Sequence, residues 1–388
     1  MPERIETLPA PPDEAREHSE RVAAAIRART EDAGGAIPFS EYMQFALYAP
    51  GFGYYRTGTG KFGAAGDFVT APEVSPLFGA VAARQIAEIL AACRGDTVLE
   101  LGAGSGRLAL DILRTLAAEN RLPARYLILE VSGELRERQK ITLSAEPALA
   151  AHVEWLERLP AKSFAGVILA NEVADALAVE RFRYAGGHCV RLGVRAAGSG
   201  FEWAELPAPK WLSERVDELA GRYEWPEPYV SELCPQLAPW IAALGATLEC
   251  GAMLFFDYGL PEREYYHPDR DMGTLICHYR HRAHEDPFLW PGLTDISAWV
   301  DFSALARASR AAGLKVAAYT TQAHFLIGGG IGDAIATAAS DIERYRISGE
   351  IKRLILPSEM GEAFKAMVLT RGCSPPSAFT AQDLSAHL

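Results

Sequence analysis

Thr97-Val98-Leu99-Glu100-Leu101-Gly102-Ala103-Gly104-Ser105-Gly106 reads as a β-branched, apolar run that ends on an acid and enters a glycine turn. Leu108 through Leu116 then repeats apolar residues at helical spacing, so the stretch is strand, turn, helix. Upstream, Phe78, Val81, Ala82, Ile86, Ile89 and Leu90 fall on one helical face. Downstream, RYLILEV (125–131), HVEWL (152–156), FAGVILANEV (164–173) and AMLFFDYG (252–259) read as further strands. Strands separated by helices imply an α/β fold with a parallel sheet covered on both faces. LKVAAYTTQAHFLIG (314–328) and AFKAMVLTRG (363–372) alternate as antiparallel strands that close the sheet, with a helical stretch between them.

The interruptions define the organisation. Residues 1–77 form an N-terminal extension of helices and a loop dense in glycine and aromatics, and 78–179 form the Rossmann-like core. An insertion occupies 180–250, with a hairpin around Gly186 and Gly187 and two helical stretches rich in tryptophan and proline. Residues 251–260 restore a core strand, 261–313 form a second insertion, and 314–388 complete the core. Both insertions have the size and aromatic content of a substrate-binding wall or a contact between copies in a homo-oligomer.

The chain has 388 residues, 49% hydrophobic and 23% charged, which is ordinary globular composition and excludes a mainly disordered chain. A formal charge of −12 opposes attraction to phosphate backbones and anionic lipid surfaces, so neither nucleic acid nor membrane is expected as the main partner. Six cysteines lie far apart without a CxxC pair, and His278, His281 and His284 lack the spacing of a zinc site, so no metal is expected. The first residues lack a secretory or organellar signal, and the expectation is a cytoplasmic protein.

GxGxG places its third glycine one residue too early for the dinucleotide fingerprint, which disfavours a nicotinamide oxidoreductase. GTGKF (58–62) fails as a P-loop, because Tyr55 and Phe62 stand where glycine and Ser or Thr are required. Glu100 followed by Gly102, Gly104 and Gly106 instead resembles the first motif of class I S-adenosylmethionine (SAM) methyltransferases. In that group an acid ending the second strand binds the ribose hydroxyls, and Glu130 occupies that place. A carboxylate accepts from two hydroxyl donors, as adenosine recognition requires.

Eight blocks, GFGYY, GDFVTAPEVSPLFG, ELGAGSGRLALDIL, ILEVS, NEVADALAVERF, FFDYG, CHYRHRAHEDPF and PGLTDISAWVDFSAL, resemble in this order the MidA family, over about residues 37–372. That family includes a mitochondrial complex I assembly factor that is a protein arginine methyltransferase. The resemblance implies a class I SAM-dependent methyltransferase fold, SAM as cofactor and a protein substrate. Ala178 departs from the family's usual proline without removing a chemical group. The resemblance also implies that Asp67, Thr70 and Glu73 cover cofactor or acceptor, with helix capping as the alternative for Glu73.

Asn171, Glu172 and Asp175 follow the fourth strand, at the carboxyl edge where open α/β sheets bind ligands. Carboxylates can hold a guanidinium by bidentate hydrogen bonds, so Glu172 is expected to orient the target nitrogen while Asn171 and Asp175 shape the site. Capping of the following backbone is the plain alternative for Asp175. Tyr42, Tyr54 and Tyr55 offer aromatic faces to a cation, or pack in a core. Asp257 faces the cleft or stabilises a turn, and His281 makes hydrogen bonds to a loop, a carboxylate or a partner. A different class of function, a non-catalytic assembly protein that keeps a SAM-binding fold, shares all these features except turnover.

Overall fold

The computed structural model describes residues 8–56 and 70–388. They belong to two compact units: one built from Met1–Val69, Ala176–Pro235 and Tyr265–Ala298, the other from Thr70–Asp175, Gln236–Glu264 and Trp299–Leu388.

The second unit carries the sheet expected from the sequence. Its strands are β1 (Thr97–Leu101), β2 (Arg125–Leu129), β3 (Val153–Leu156), β4 (Phe164–Asn171), β5 (Leu248–Leu260), β6 (Lys315–Thr321) and β7 (Phe364–Arg371). Their order is β6-β7-β5-β4-β1-β2-β3, and the two-residue strand Val300–Asp301 pairs with the end of β5. β1 to β5 are mutually parallel, and β7 runs antiparallel between β5 and β6. All five residues of β1 are buried, as a central strand covered on both faces requires.

Helix α1 (Pro76–Cys93) begins at Ser75, whose hydroxyl accepts from Leu77 N at 3.2 Å, and Pro76 sits where its missing N–H costs nothing. It ends at Arg94, which takes a left-handed conformation with φ 52°. The expected face, Phe78, Val81, Ile86 and Ile89, is buried in one core with Ile112 and Leu113 of α2 (Arg107–Ala118) and Val98, Val167 and Leu254 of the sheet. Burial of each such side chain contributes about 1.5–3 kcal/mol. α1 is long and apolar enough to cross a membrane, but that apolar face is core.

The first unit contains a five-stranded antiparallel sheet. Its central hairpin pairs Glu180–Ala185 with His188–Ala197 across Gly186 and Gly187, both at positive φ, as the sequence reading expects. Tyr229–Leu233 flanks one side, and Ile37–Pro38 and Gly200–Leu206 pair with His188–Ala197. A smaller sheet joins Ile276–Tyr279, Arg282–His284 and Asp295–Ser297.

Three local readings differ. The strands Gly200–Leu206 and Tyr229–Leu233 lie where the sequence reading placed only helices, because FEWAEL and YVSEL find hairpin and sheet partners that propensity does not encode. The stretch 314–328 is a strand only to Thr321; the Thr321 hydroxyl accepts from His324 N at 3.2 Å and starts the helix Gln322–Gly328. Helix Leu237–Thr247 belongs to the unit of the main sheet, so the unit boundaries lie at 176, 235, 265 and 298, where the sequence reading drew insertions over 180–250 and 261–313.

Candidate functional site

The backbone of the glycine turn takes positive φ at Gly102 (58°), Gly104 (53°) and Gly106 (81°), a conformation that L side chains resist. Gly102 N donates to Leu129 O at 3.0 Å, and Gly106 N donates to Ala103 O at 2.8 Å, before α2 begins. A β-carbon on Gly106 would lie 3.0 Å from the backbone Cα of Gln139. The turn therefore presents bare backbone and a helix N-terminus to a ligand at the carboxyl edge of β1.

Two acids support it from beneath. Glu100 is buried at the end of β1 and accepts from the Tyr126 hydroxyl at 2.7 Å. Burial pushes its carboxyl up to about 7, the Tyr126 bond opposes the rise, and the charge of Glu130 adds to it. Glu130 follows β2 and is also buried; its Oε1 accepts from Ser132 N at 2.9 Å and its Oε2 from Gln139 Nε2 at 2.9 Å. Burial raises the Glu130 carboxyl, and these donors hold the rise back. Each of its oxygens retains acceptor capacity, so this pair of acceptors fits the two hydroxyls of a ribose.

Gln139, on α3 (Gly133–Leu143), is fully buried and links the two halves of this arrangement. The Nε2 that binds Glu130 also donates to Gly104 O at 3.2 Å, while Trp155 Nε1 donates to Gln139 Oε1 at 3.0 Å and fixes the amide's orientation. Tyr126, Gln139 and Trp155 escape the sequence reading, since no local pattern distinguishes a core tyrosine or a helical glutamine from a structural one.

The acceptor candidates lie at the ends of β4 and β5. Glu172 takes φ 53°, a left-handed conformation for a residue with a side chain, and Asn171 Nδ2 donates to its Oε1 at 3.2 Å. Asp175 is buried and accepts from the Tyr258 hydroxyl. Leu101 pairs with Ala170 in parallel register, so the glycine turn and this acidic turn leave the sheet side by side, and a β-carbon on Gly102 would sit 3.6 Å from Val173 Cγ2.

Asp257, expected to face the cleft or to stabilise a turn of its own DYG segment, lies with that segment inside β5 and instead binds the backbone of the acidic turn after β4. It is buried, its Oδ2 accepts from the backbone N–H groups of Val173 (3.2 Å), Ala174 (2.9 Å) and Asp175 (3.3 Å), and its Oδ1 accepts from Tyr258 N at 3.0 Å. Burial raises its carboxyl well above the usual range; the charges of Asp175 and Glu172 add to this and the N–H donors oppose it.

The remaining candidates separate. Glu73 accepts from the Ser105 hydroxyl of the glycine turn, and Thr70 N-caps the short helix Ala71–Val74 through its carbonyl, which accepts from Glu73 N at 2.9 Å. Asp67 lies outside the described residues. Tyr42 and His281 belong to the other unit. Tyr42 is fully buried, and its hydroxyl donates to Pro287 O at 2.6 Å, so its ring packs in a core and does not present a face to a ligand. His281 sits at φ 60° in the exposed turn between Ile276–Tyr279 and Arg282–His284. His278, on the first of these strands, is pushed down to about 4 by burial and by His284, which keeps it neutral.

The family model for S-adenosyl-L-methionine-dependent methyltransferases matches residues 81–320. The mitochondrial protein arginine methyltransferase NDUFAF7 of Mus musculus is 30% identical over 371 residues, covering 86% of this chain and 81% of that protein. The Homo sapiens protein of the same name is 28% identical over 375 residues, covering 86% and 80%. A Burkholderia thailandensis crystal structure bound to S-adenosyl-homocysteine superposes with a TM-score of 0.94 at 43% identity, covering 98% of this chain and all of that one. The mitochondrial designation of the curated relatives overturns the expectation of a cytoplasmic protein. The cofactor is SAM, and the chain belongs to the MidA-like family of SAM-dependent methyltransferases.

Proposed function

We propose that this protein transfers the methyl group of SAM to an arginine side chain of a partner protein. The observation that carries the reading is the acidic turn, with Glu172 and Asp175 on the sheet edge that also holds the glycine turn, and Gly102 against Val173. The relatives that carry the name of protein arginine methyltransferase support the same acceptor.

SAM supplies an electrophilic methyl group on a sulfonium, which a nitrogen attacks in line as the carbon–sulfur bond breaks and S-adenosylhomocysteine leaves. The chain's task is to hold the two partners. Gly102, Gly104 and Gly106 cradle the cofactor through backbone, and Glu130, oriented by Gln139, accepts from the ribose hydroxyls. Glu172 pairs with the guanidinium and turns one nitrogen toward the methyl group, while Asn171 sets the orientation of the Glu172 carboxylate. The nitrogen sheds a proton on methylation, and on this reading a carboxylate of the turn receives it.

The test incubates the protein with methyl-labelled SAM and an extract of relative-depleted cells, and then hydrolyses the labelled protein to amino acids. Label in methylarginine is expected, and Glu172→Gln should lower incorporation at least tenfold while the affinity for S-adenosylhomocysteine changes less than threefold. Label confined to another amino acid overturns the arginine assignment, and an equal loss of binding and incorporation overturns the role of Glu172.

A further inference from the structure

The end of β5 addresses the acidic turn residue by residue. Phe256 is the last partner of Asn171 in the β4–β5 pairing, and its carbonyl accepts from Glu172 N at 2.8 Å. Asp257, next in the chain, accepts the N–H groups of Val173, Ala174 and Asp175 on one oxygen, at 3.2, 2.9 and 3.3 Å. Tyr258, next again, donates its hydroxyl to Asp175 Oδ2. The Tyr258 ring is itself fixed by an edge contact with Phe364 of β7, ring centroids 5.4 Å apart at 79°. Four consecutive N–H groups, from Glu172 to Asp175, therefore end on two consecutive residues of one strand.

From this we infer that Asp257 and Tyr258 are positioning residues of the methyl-transfer reaction: they template the 171–175 turn so that Glu172 is held in its left-handed conformation and Asp175 in a fixed orientation. The inference rests on the acceptor role of Glu172 proposed above. A left-handed conformation is unfavourable for a residue with a side chain and persists only where its surroundings fix it. Successive N–H groups that converge after such a residue form a concave anion-binding nest. Here the anion is the protein's own carboxylate.

The two oxygens of Asp257 are committed to four backbone donors, Tyr258 N being the fourth at 3.0 Å, and the side chain is buried. Its burial and the three N–H donors of the turn on one oxygen make it a group that acts through the turn. A buried carboxylate beside Asp175 and Glu172 is electrostatically unfavourable, which is why burial and those two charges raise it. Its retention at this place follows from a need that an apolar residue cannot meet, namely two buried N–H groups and a half-buried one that would otherwise lose this acceptor.

The test compares Asp257→Asn, Asp257→Ala and Tyr258→Phe in the full chain. Amide hydrogen exchange, read by mass spectrometry on peptides covering 172–176, reports the turn directly. Asp257→Ala should exchange there at least tenfold faster than wild type with protection of β1 and β2 unchanged. Asp257→Asn, whose amide oxygen still accepts from the three N–H groups, should stay within about threefold. Tyr258→Phe should fall between them. Affinity for S-adenosylhomocysteine should hold within threefold in all three. In the labelled-SAM assay Asp257→Asn should recover most of the incorporation that Asp257→Ala loses.

Equal exchange in the Asn and Ala variants overturns the template, as does faster exchange spread over the whole sheet, which would mark a general loss of stability. Equal loss of incorporation in Asn and Ala, with exchange protected only in Asn, would assign Asp257 a direct charge role instead. If wild type makes no methylarginine, the arginine reading fails, while the exchange data still decide whether β5 templates the turn.

Discussion

We predict that Glu100 makes cofactor binding a reaction with a proton. Its carboxyl is buried at the end of β1 with the Tyr126 hydroxyl as donor and the charge of Glu130 nearby, and it is pushed from an ordinary 4.5 up to about 7. The sign follows directly. Between those two values the folded protein keeps a proton that the unfolded chain has released, so this group's contribution to stability falls as pH rises through that window. The penalty on the ionised form is about 3–4 kcal/mol, at about 1.4 kcal/mol per tenfold in proton affinity. If the cofactor's ammonium group is held against Glu100, it favours the ionised acid and draws the proton off, so binding should tighten as pH rises through 7.

With a midpoint of about 7 in the free protein, the population ready for a cationic ligand is about one tenth at pH 6 and about nine tenths at pH 8. Affinity for S-adenosylhomocysteine should therefore rise about eight- to tenfold across that range through Glu100 alone, with about half a proton released at pH 7. The assay is calorimetric titration at pH 6, 7 and 8 in two buffers of different ionisation enthalpy, on wild type, Glu100→Gln and Tyr126→Phe. The ligand's own amine titrates identically in every variant, so the difference between wild type and Glu100→Gln isolates the carboxyl. Tyr126→Phe removes the bond that opposes the rise and should move the midpoint higher. A wild-type slope no steeper than that of Glu100→Gln refutes the reasoning.

Two further outcomes concern the frame around the same cofactor. Gln139→Leu removes the donor shared by Glu130 and Gly104 and leaves Trp155 Nε1 without its acceptor; hydrogen bonds to a charged group contribute about 1.5–3 kcal/mol, so calorimetry should show S-adenosylhomocysteine binding about ten- to a hundredfold more weakly. A change under twofold would mean that Glu130 holds its orientation without this amide. Gly106→Ala places a β-carbon 3.0 Å from Gln139 Cα on a backbone at φ 81°, and should lose at least tenfold in affinity and lower the thermal midpoint. Gly133→Ala, with open space at its β-carbon, serves as the control and should leave both within error of wild type.

The glycine turn and its two acids were legible because they are written locally. Positive φ at Gly102, Gly104 and Gly106 demands glycine in the sequence itself, and an acid at the end of each of two adjacent strands follows from their parallel register, Glu100 opposite Ile128 with Glu130 just beyond. The acidic turn was legible as a place, since Glu172 and Asp175 follow a strand that plainly ends at Asn171. The role of Asp257 was not, because it depends on register between strands separated by the whole first insertion. Pairing of Phe256 with Asn171 puts Asp257 opposite the turn's N–H groups; a slip of one residue would turn that side chain to the other face and offer the turn Phe256 or Tyr258 in its place. The same logic explains Gln139: α3 shows no strong apolar stripe to mark which side faces inward, and its buried amide finds Gly104, Glu130 and Trp155 from three different segments. The glycines and strand-end acids of the candidate site are thus announced by backbone needs near them in the chain, whereas the residues that orient them answer to distant N–H and carboxyl groups, and only the assembled sheet reveals which groups those are.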